Sequence, residues 1–217
     1  LGPVHRVRLP PPDQGHETWL VVGYEEARAA LADPRLAKKA EGFVFYGDDL
    51  IGEHMLLSDP PQHTRLRTLI AGEFTGRRVA ALRPRIQEIT DELLDAMLPR
   101  GRADLVESFA YPLPLTVICE LLGAPTADWK VLRDWSQAIV RMYEVDPDAA
   151  SQRDAQRACD EFASYVEALA AERASAPGDD LLTSLVQARD GGDRLSPREL
   201  VATVVLLLNA GHEASVN

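Results

Sequence analysis

Two short stretches of this 217-residue chain hold residue types that could do chemistry at a workable spacing. The first is Asp59-Pro60-Pro61-Gln62-His63-Thr64-Arg65-Leu66-Arg67. Asp59 is a good N-cap residue, and the two prolines suit a first helical turn. His63 and Arg67 then stand at i and i+4 on one helix face, roughly 6 Å apart. Two donors so placed can each hold an oxygen of a carboxylate or phosphate, the arginine in bidentate fashion. The alternative is a solvated face on which the two meet by chance, and the pair alone does not decide.

The second stretch is Asn209-Ala210-Gly211-His212-Glu213-Ala214-Ser215. Glycine inside a helix costs about 1 kcal/mol relative to alanine, so Ala210-Gly211 points to something flat or bulky close against the backbone. Glu213 follows within the same turn. A buried carboxylate needs a partner or a task, and relaying protons into a closed pocket is one such task. Alternatively, Gly211 lets another helix pack closely and Glu213 pairs with an arginine elsewhere. His212-Glu213 is not the start of a zinc-protease motif, because Val216 stands four positions after His212. Cys119 and Cys159, the only cysteines, cannot make a disulfide framework or an all-cysteine zinc site. Both are expected in the core, and no metal ligand set is assigned. Trp19, Trp129 and Trp135 are read as packing residues. No dinucleotide fingerprint, P-loop or nucleophile elbow occurs.

The elements that would position these stretches are mostly helices. Val4 to Leu9 and Thr18 to Val22 alternate as strands about a Pro-rich break, which reads as a hairpin. Tyr24 to Leu31 is a short helix stopped at Asp33-Pro34, and residues 37 to 55 are a loop. Apolar spacing predicts helices from Pro84 to Met97, Pro114 to Leu122, Trp129 to Val140, a long one before Pro177-Gly178, and Leu181 to Val186. Ser196-Pro197-Arg198-Glu199 is a capping box with proline at the first helical position. The helix it opens is apolar on all sides from Val201 to Leu208, as expected of one buried all round. It has no stop signal before Asn217.

Apolar residues are 46% and charged residues 26% of the chain, enough to build a core. The net charge of −11 argues against a protein that coats nucleic acid. Within it, Arg65, Arg67, Arg77, Arg78, Arg83 and Arg85 face a single acid, Glu73, between residues 60 and 85. Such a patch could steer an acidic partner, or serve solubility alone. The apolar run at Val204 to Leu208 falls well short of the ~20 residues of a membrane span, and no leader opens the chain, so a cytoplasmic location is expected.

In their order, these features resemble the N-terminal half of a bacterial cytochrome P450 of the actinobacterial type. The resemblance runs through the hairpin, the Tyr24-Glu25-Glu26-Ala27-Arg28-Ala29-Ala30-Leu31 helix with its Asp33-Pro34-Arg35-Leu36 ending, Asp59 to Arg67, Glu73-Phe74-Thr75, and Ala210-Gly211-His212-Glu213. It implies a mainly α fold with a small N-terminal β-hairpin, residues 1–217 being one portion of a single domain. It implies haem as cofactor, with His63 and Arg67 on the propionates and Ala210 and Gly211 forming the groove for dioxygen and substrate. Glu213 matches the acid that delivers protons. The residue after it is usually threonine; here it is Ala214, a substrate contact, followed by Ser215 as the nearby hydroxyl. Some macrolide-hydroxylating members share this replacement and are thought to recruit a substrate hydroxyl or water, which favours a hydroxylated substrate. The loop from Ala37 to Met55 and the region Val140 to Asp148 match the variable segments that shape the substrate pocket.

The implied activity is hydroxylation or epoxidation of a hydrophobic small molecule, such as a macrolide or polyketide of secondary metabolism. Dioxygen and ferredoxin-delivered electrons would drive it, with neither nucleic acid nor membrane as partner. Neither cysteine has the sequence setting of the haem thiolate, so that ligand is expected outside these residues and the fragment alone should be inactive. The rival is a haem-free P450-like helper that stabilises another enzyme.

Overall fold

The computed structural model describes residues 2–8, 17–38, 53–143, 147–188 and 192–216. Strands β1 (Val4–Arg8) and β2 (Glu17–Val21) pair antiparallel, from Val4 opposite Val21 to Arg8 opposite Glu17. The helices follow in chain order: α1 (Tyr24–Ala32), α2 (Gln62–Ala71), α3 (Gly76–Ala81), α4 (Arg83–Met97), α5 (Pro112–Leu122), α6 (Trp129–Val140), α7 (Ala149–Ser175), α8 (Leu181–Gln187) and α9 (Pro197–Val216). The mainly α architecture with one small hairpin is the one expected.

Helix α9 is the axis of the domain and packs against α5, α6, α7 and α8. Val201, Ala202, Val204, Val205, Leu206 and Leu208 are all buried. Each large aliphatic side chain so placed contributes about 1.5–3 kcal/mol. Although α9 has the length and hydropathy of a membrane span, half of that window is buried within the domain. Its start is the anticipated box: the Glu199 N–H donates to Ser196 Oγ at 3.2 Å, and the Ser196 N–H donates to Glu199 Oε2 at 2.8 Å.

A second junction fastens α5, α7 and α8. Helix α5 ends at Gly123, whose φ of +73° is left-handed and whose missing Cβ leaves room for the Asp180 carboxylate. Asp180 caps α8 by accepting from the Thr183 N–H at 2.7 Å. Arg173, near the end of α7, donates to Asp180 and to the Gly123 carbonyl, both at 2.6 Å.

Several details depart from the expectations. Helix α2 starts at Gln62, after both prolines and with no side-chain cap. The Asp59 carboxylate instead accepts from the Lys38 N–H at 2.9 and 3.0 Å. Trp19 is 66% exposed on the hairpin, whereas Trp129 and Trp135 pack against the core as expected. Val106–Ala110 forms a π-type turn that the apolar spacing does not signal. Most of the expected loop from Ala37 to Met55, and residues 144–146 of the other variable segment, lie outside the described residues.

Candidate functional site

His63 and Arg67 share one face of α2, His63 half-buried and Arg67 exposed. Neither side chain has a hydrogen bond or ion pair with another described residue. The opposite side of the same helix is fully engaged. Arg65 pairs with Glu199 and, at 3.1 Å, with Asp193. Gln62 donates to Glu199 Oε1 at 2.7 Å. Two positions along a helix is about 200° of rotation. Arg65 therefore fixes α2 to the start of α9 while turning His63 and Arg67 away from that contact. The box glutamate thus has two tasks, one per oxygen, and sequence spacing reveals only the first.

The Arg65 pairing also revises the arginine patch. Arg78 is paired with Glu73, and Arg85 with Glu88, Glu92 and Glu120, the last at 2.8 Å. The Arg85 guanidinium is held protonated first by its hydrogen bonds to Glu120. Half the patch is neutralised locally. Arg77 and Arg83 remain exposed and without an ion pair among the described residues.

On α9 the environment changes abruptly along the helix. Upstream, Val201–Leu206 are buried. Downstream, Ala210, Gly211, Ala214 and Ser215 are exposed on one face, at i, i+1, i+4 and i+5. Ala210, Gly211, Ser215 and Leu207 border an apolar trough of ≈ 540 Å³ whose other wall includes Ile118 and Val117 of α5. A Cβ on Gly211 would meet the Ile118 side chain at 3.4 Å, an ordinary contact, so packing on α5 does not by itself require glycine here. Ala210 lies about 16 Å along the axis from Glu199, where Arg65 fastens α2. The structure brings each constellation together, with that length of α9 between the anchor of the first and the second.

Glu213 is less enclosed than its sequence setting suggests, with a side chain 31% exposed. Its Oε1 lies 3.3 Å from Nε2 of His212, which is fully buried. The His212 Nδ1 is 2.8 Å from the Leu208 carbonyl, and Nε2 is 3.3 Å from Oγ of the buried Ser136 on α6. Ser136 Oγ is also 2.5 Å from Asn209 Oδ1. This polar group between α6 and α9 was not legible in the sequence, because Ser136 and His212 lie 76 positions apart. Cys119 and Cys159 are buried in the core, and burial pushes the Cys119 thiol up to about 12, which keeps it protonated and unreactive.

The residues present suit a flat, anionic-edged group. Two unengaged donors one turn apart match two carboxylate arms, and a face bearing nothing larger than serine lets a planar body approach the α9 backbone. Comparison with known proteins gives that group a context. The sequence model for the family described as Cytochrome P450 matches residues 2–217. Cytochrome P450 monooxygenase PikC of Streptomyces venezuelae is 50% identical over 222 residues, covering all of this chain and 51% of that protein. Mycinamicin IV hydroxylase/epoxidase of Micromonospora griseorubida is 42% identical over 220 residues, covering 98% of this chain and 53% of that protein. Among solved structures, the cytochrome P450 PksS of the Bacillus subtilis 168 bacillaene polyketide synthase superposes with a TM-score of 0.87 at 36% identity, covering 99% of this chain and 53% of that one. The chain spans about half the length of the curated relatives it matches.

Proposed function

The chain belongs to the cytochrome P450 family, and on that premise we propose that the whole protein is a haem-dependent monooxygenase that hydroxylates or epoxidises a hydrophobic small molecule. Residues 1–217 form the N-terminal part of its single domain in this reading. The observation that carries it is the coexistence of two unengaged donors on α2 with an uncovered small-residue face on the otherwise buried α9.

Haem is the cofactor of this family, and when bound it supplies the activation of dioxygen. This chain's own residues have three tasks. His63 and Arg67 bind its two carboxylate arms. Ala210, Gly211 and Ala214 keep the α9 face low, leaving room for dioxygen and substrate. Glu213 holds and moves a proton at Oε1, partly open to solvent and so able to reload. Ala214 brings no hydroxyl, so either Ser215 one position on, or a water or substrate hydroxyl, completes the proton path.

The substrate class we assign is a hydroxylated macrolide or polyketide, supported by the name of the Micromonospora relative, a mycinamicin IV hydroxylase/epoxidase, and by the polyketide synthase context of the Bacillus structure. Electrons come from an acidic ferredoxin that meets Arg77 and Arg83, exposed and without an ion pair among the described residues, and the protein works in the cytoplasm. The test is a carbon monoxide difference spectrum of the intact protein. A thiolate-haem band is expected; haem-free protein would overturn the reading and favour a P450-like helper.

A further inference from the structure

We infer that His212 is a positioning residue that couples the Glu213 carboxylate to helix α6, an inference that rests on the proton-handling role given to Glu213 above. The argument is one of counting protons. The Leu208 carbonyl can only accept, so the ring nitrogen 2.8 Å from it, Nδ1, carries a hydrogen. Nε2 is the atom left to choose. It lies 3.3 Å from Ser136 Oγ and 3.3 Å from Glu213 Oε1. Ser136 has one hydroxyl hydrogen and two acceptors in reach, Asn209 Oδ1 at 2.5 Å and His212 Nε2.

Two arrangements satisfy these groups. In the first, the Ser136 hydroxyl donates to Asn209 Oδ1, His212 is protonated on both nitrogens, and Nε2–H donates to Glu213. In the second, the Asn209 amide turns its NH2 toward Ser136 Oγ, the hydroxyl donates to Nε2, and the neutral imidazole has nothing to give Glu213. The amide orientation decides between them: Oδ1 faces Ser136 in the first and the NH2 faces it in the second. The arrangements differ by one proton, which in the first sits between Nε2 and Oε1. Glu213 is the only charged group within ion-pair distance of Nε2 among the described residues.

Ser136 and His212 are both fully buried, so water cannot substitute for a missing donor at this junction. A hydroxyl on α6 therefore sets whether His212 holds the carboxylate. Helix α6 is itself fixed on another side: Arg133 donates to both Glu107 oxygens at 2.9 and 2.8 Å, and Gln137 donates to the Tyr111 hydroxyl at 2.8 Å. A shift of α6 is read at Glu213 through the His212 ring.

The experiment is carboxyl 13C NMR of the intact protein, in its diamagnetic carbon monoxide form where haem is bound. The Glu213 resonance is assigned by its loss in Glu213→Gln. Asn209→Ala, which releases the Ser136 hydroxyl to Nε2, is expected to shift it, and in a His212→Phe background the same change is expected to add no shift. An unmoved resonance in Asn209→Ala, or an equal shift without His212, overturns the inference. Should His212→Phe fail to fold, Ser136→Ala added to Asn209→Ala replaces it; removing the released hydroxyl must return the resonance toward its parent position, and a shift that persists overturns the coupling. Haem content of the same samples tests the monooxygenase reading separately, because the resonance can be read with or without haem.

Discussion

Arg65 of α2 is ion-paired with Glu199, the acid whose other carboxylate oxygen closes the capping box on Ser196. One residue thus both starts the central helix and anchors the helix that carries His63 and Arg67. The Glu199 side chain is only 12% exposed, and that of Arg65 29%. Removing one partner leaves the other charge partly desolvated, at a cost of about 1–3 kcal/mol. Arg65→Ala should lower denaturant stability by that amount and speed amide exchange across α2. Glu199→Ala should cost more, since it also removes the cap, worth roughly another 1 kcal/mol.

Arg67 behaves oppositely. It is exposed and makes no ion pair or hydrogen bond among the described residues, so Arg67→Ala should leave unfolding within about 0.5 kcal/mol of the parent, yet weaken haem retention in the intact protein. Haem transfer to an acceptor globin, followed beside a urea titration, separates the effects. Unchanged retention would count against the propionate role.

The contrast between these two arginines shows what a sequence can display. Helix periodicity, the Ser196 box, the presence of the hairpin and the buried run of α9 are local, and each was readable from spacing alone. The task of Arg65 depends on Glu199, 134 positions away, and no local pattern distinguishes it from Arg67 two residues on. The same limit hid the His212–Ser136 contact and the pairing of Arg85 with Glu120. Asp59 misled for another reason: two prolines follow it, and the backbone delays the helix until Gln62, leaving its carboxylate for Lys38.

At the small-residue face, Ala210 and Gly211 should respond differently. The Cβ of Gly211→Ala would sit at 3.4 Å from Ile118, an ordinary contact at its tight limit, while alanine gains about 1 kcal/mol of helix propensity. Stability should stay within about 1 kcal/mol. Ala210 is exposed, so Ala210→Leu should fold normally but reduce haem occupancy by filling the face. Equal occupancy in parent and Ala210→Leu protein would show that nothing flat rests there.

Glu213→Gln tests proton handling. General acid–base groups contribute roughly 10²–10⁴-fold, so kcat should fall within that range while substrate affinity, read by spectral titration with mycinamicin IV as probe, changes less than about threefold. Equal effects on both would mark a structural carboxylate.

His54 gives the chain a pH dependence independent of haem. It is 2% exposed, just ahead of α2, and burial pulls its imidazole down to about 4. An unfolded histidine titrates near 6.5. Between those values the unfolded chain binds the proton and the folded one does not, so stability rises with pH through this window and is lost as pH falls. The displacement corresponds to about 3 kcal/mol, fully present above pH 6.5 and gone near pH 4. His54→Gln keeps a polar side chain but cannot titrate, and should flatten the urea midpoint between pH 6.5 and 4 while lowering it little at pH 8. A parallel decline in both proteins would assign the acid sensitivity to the carboxylates instead.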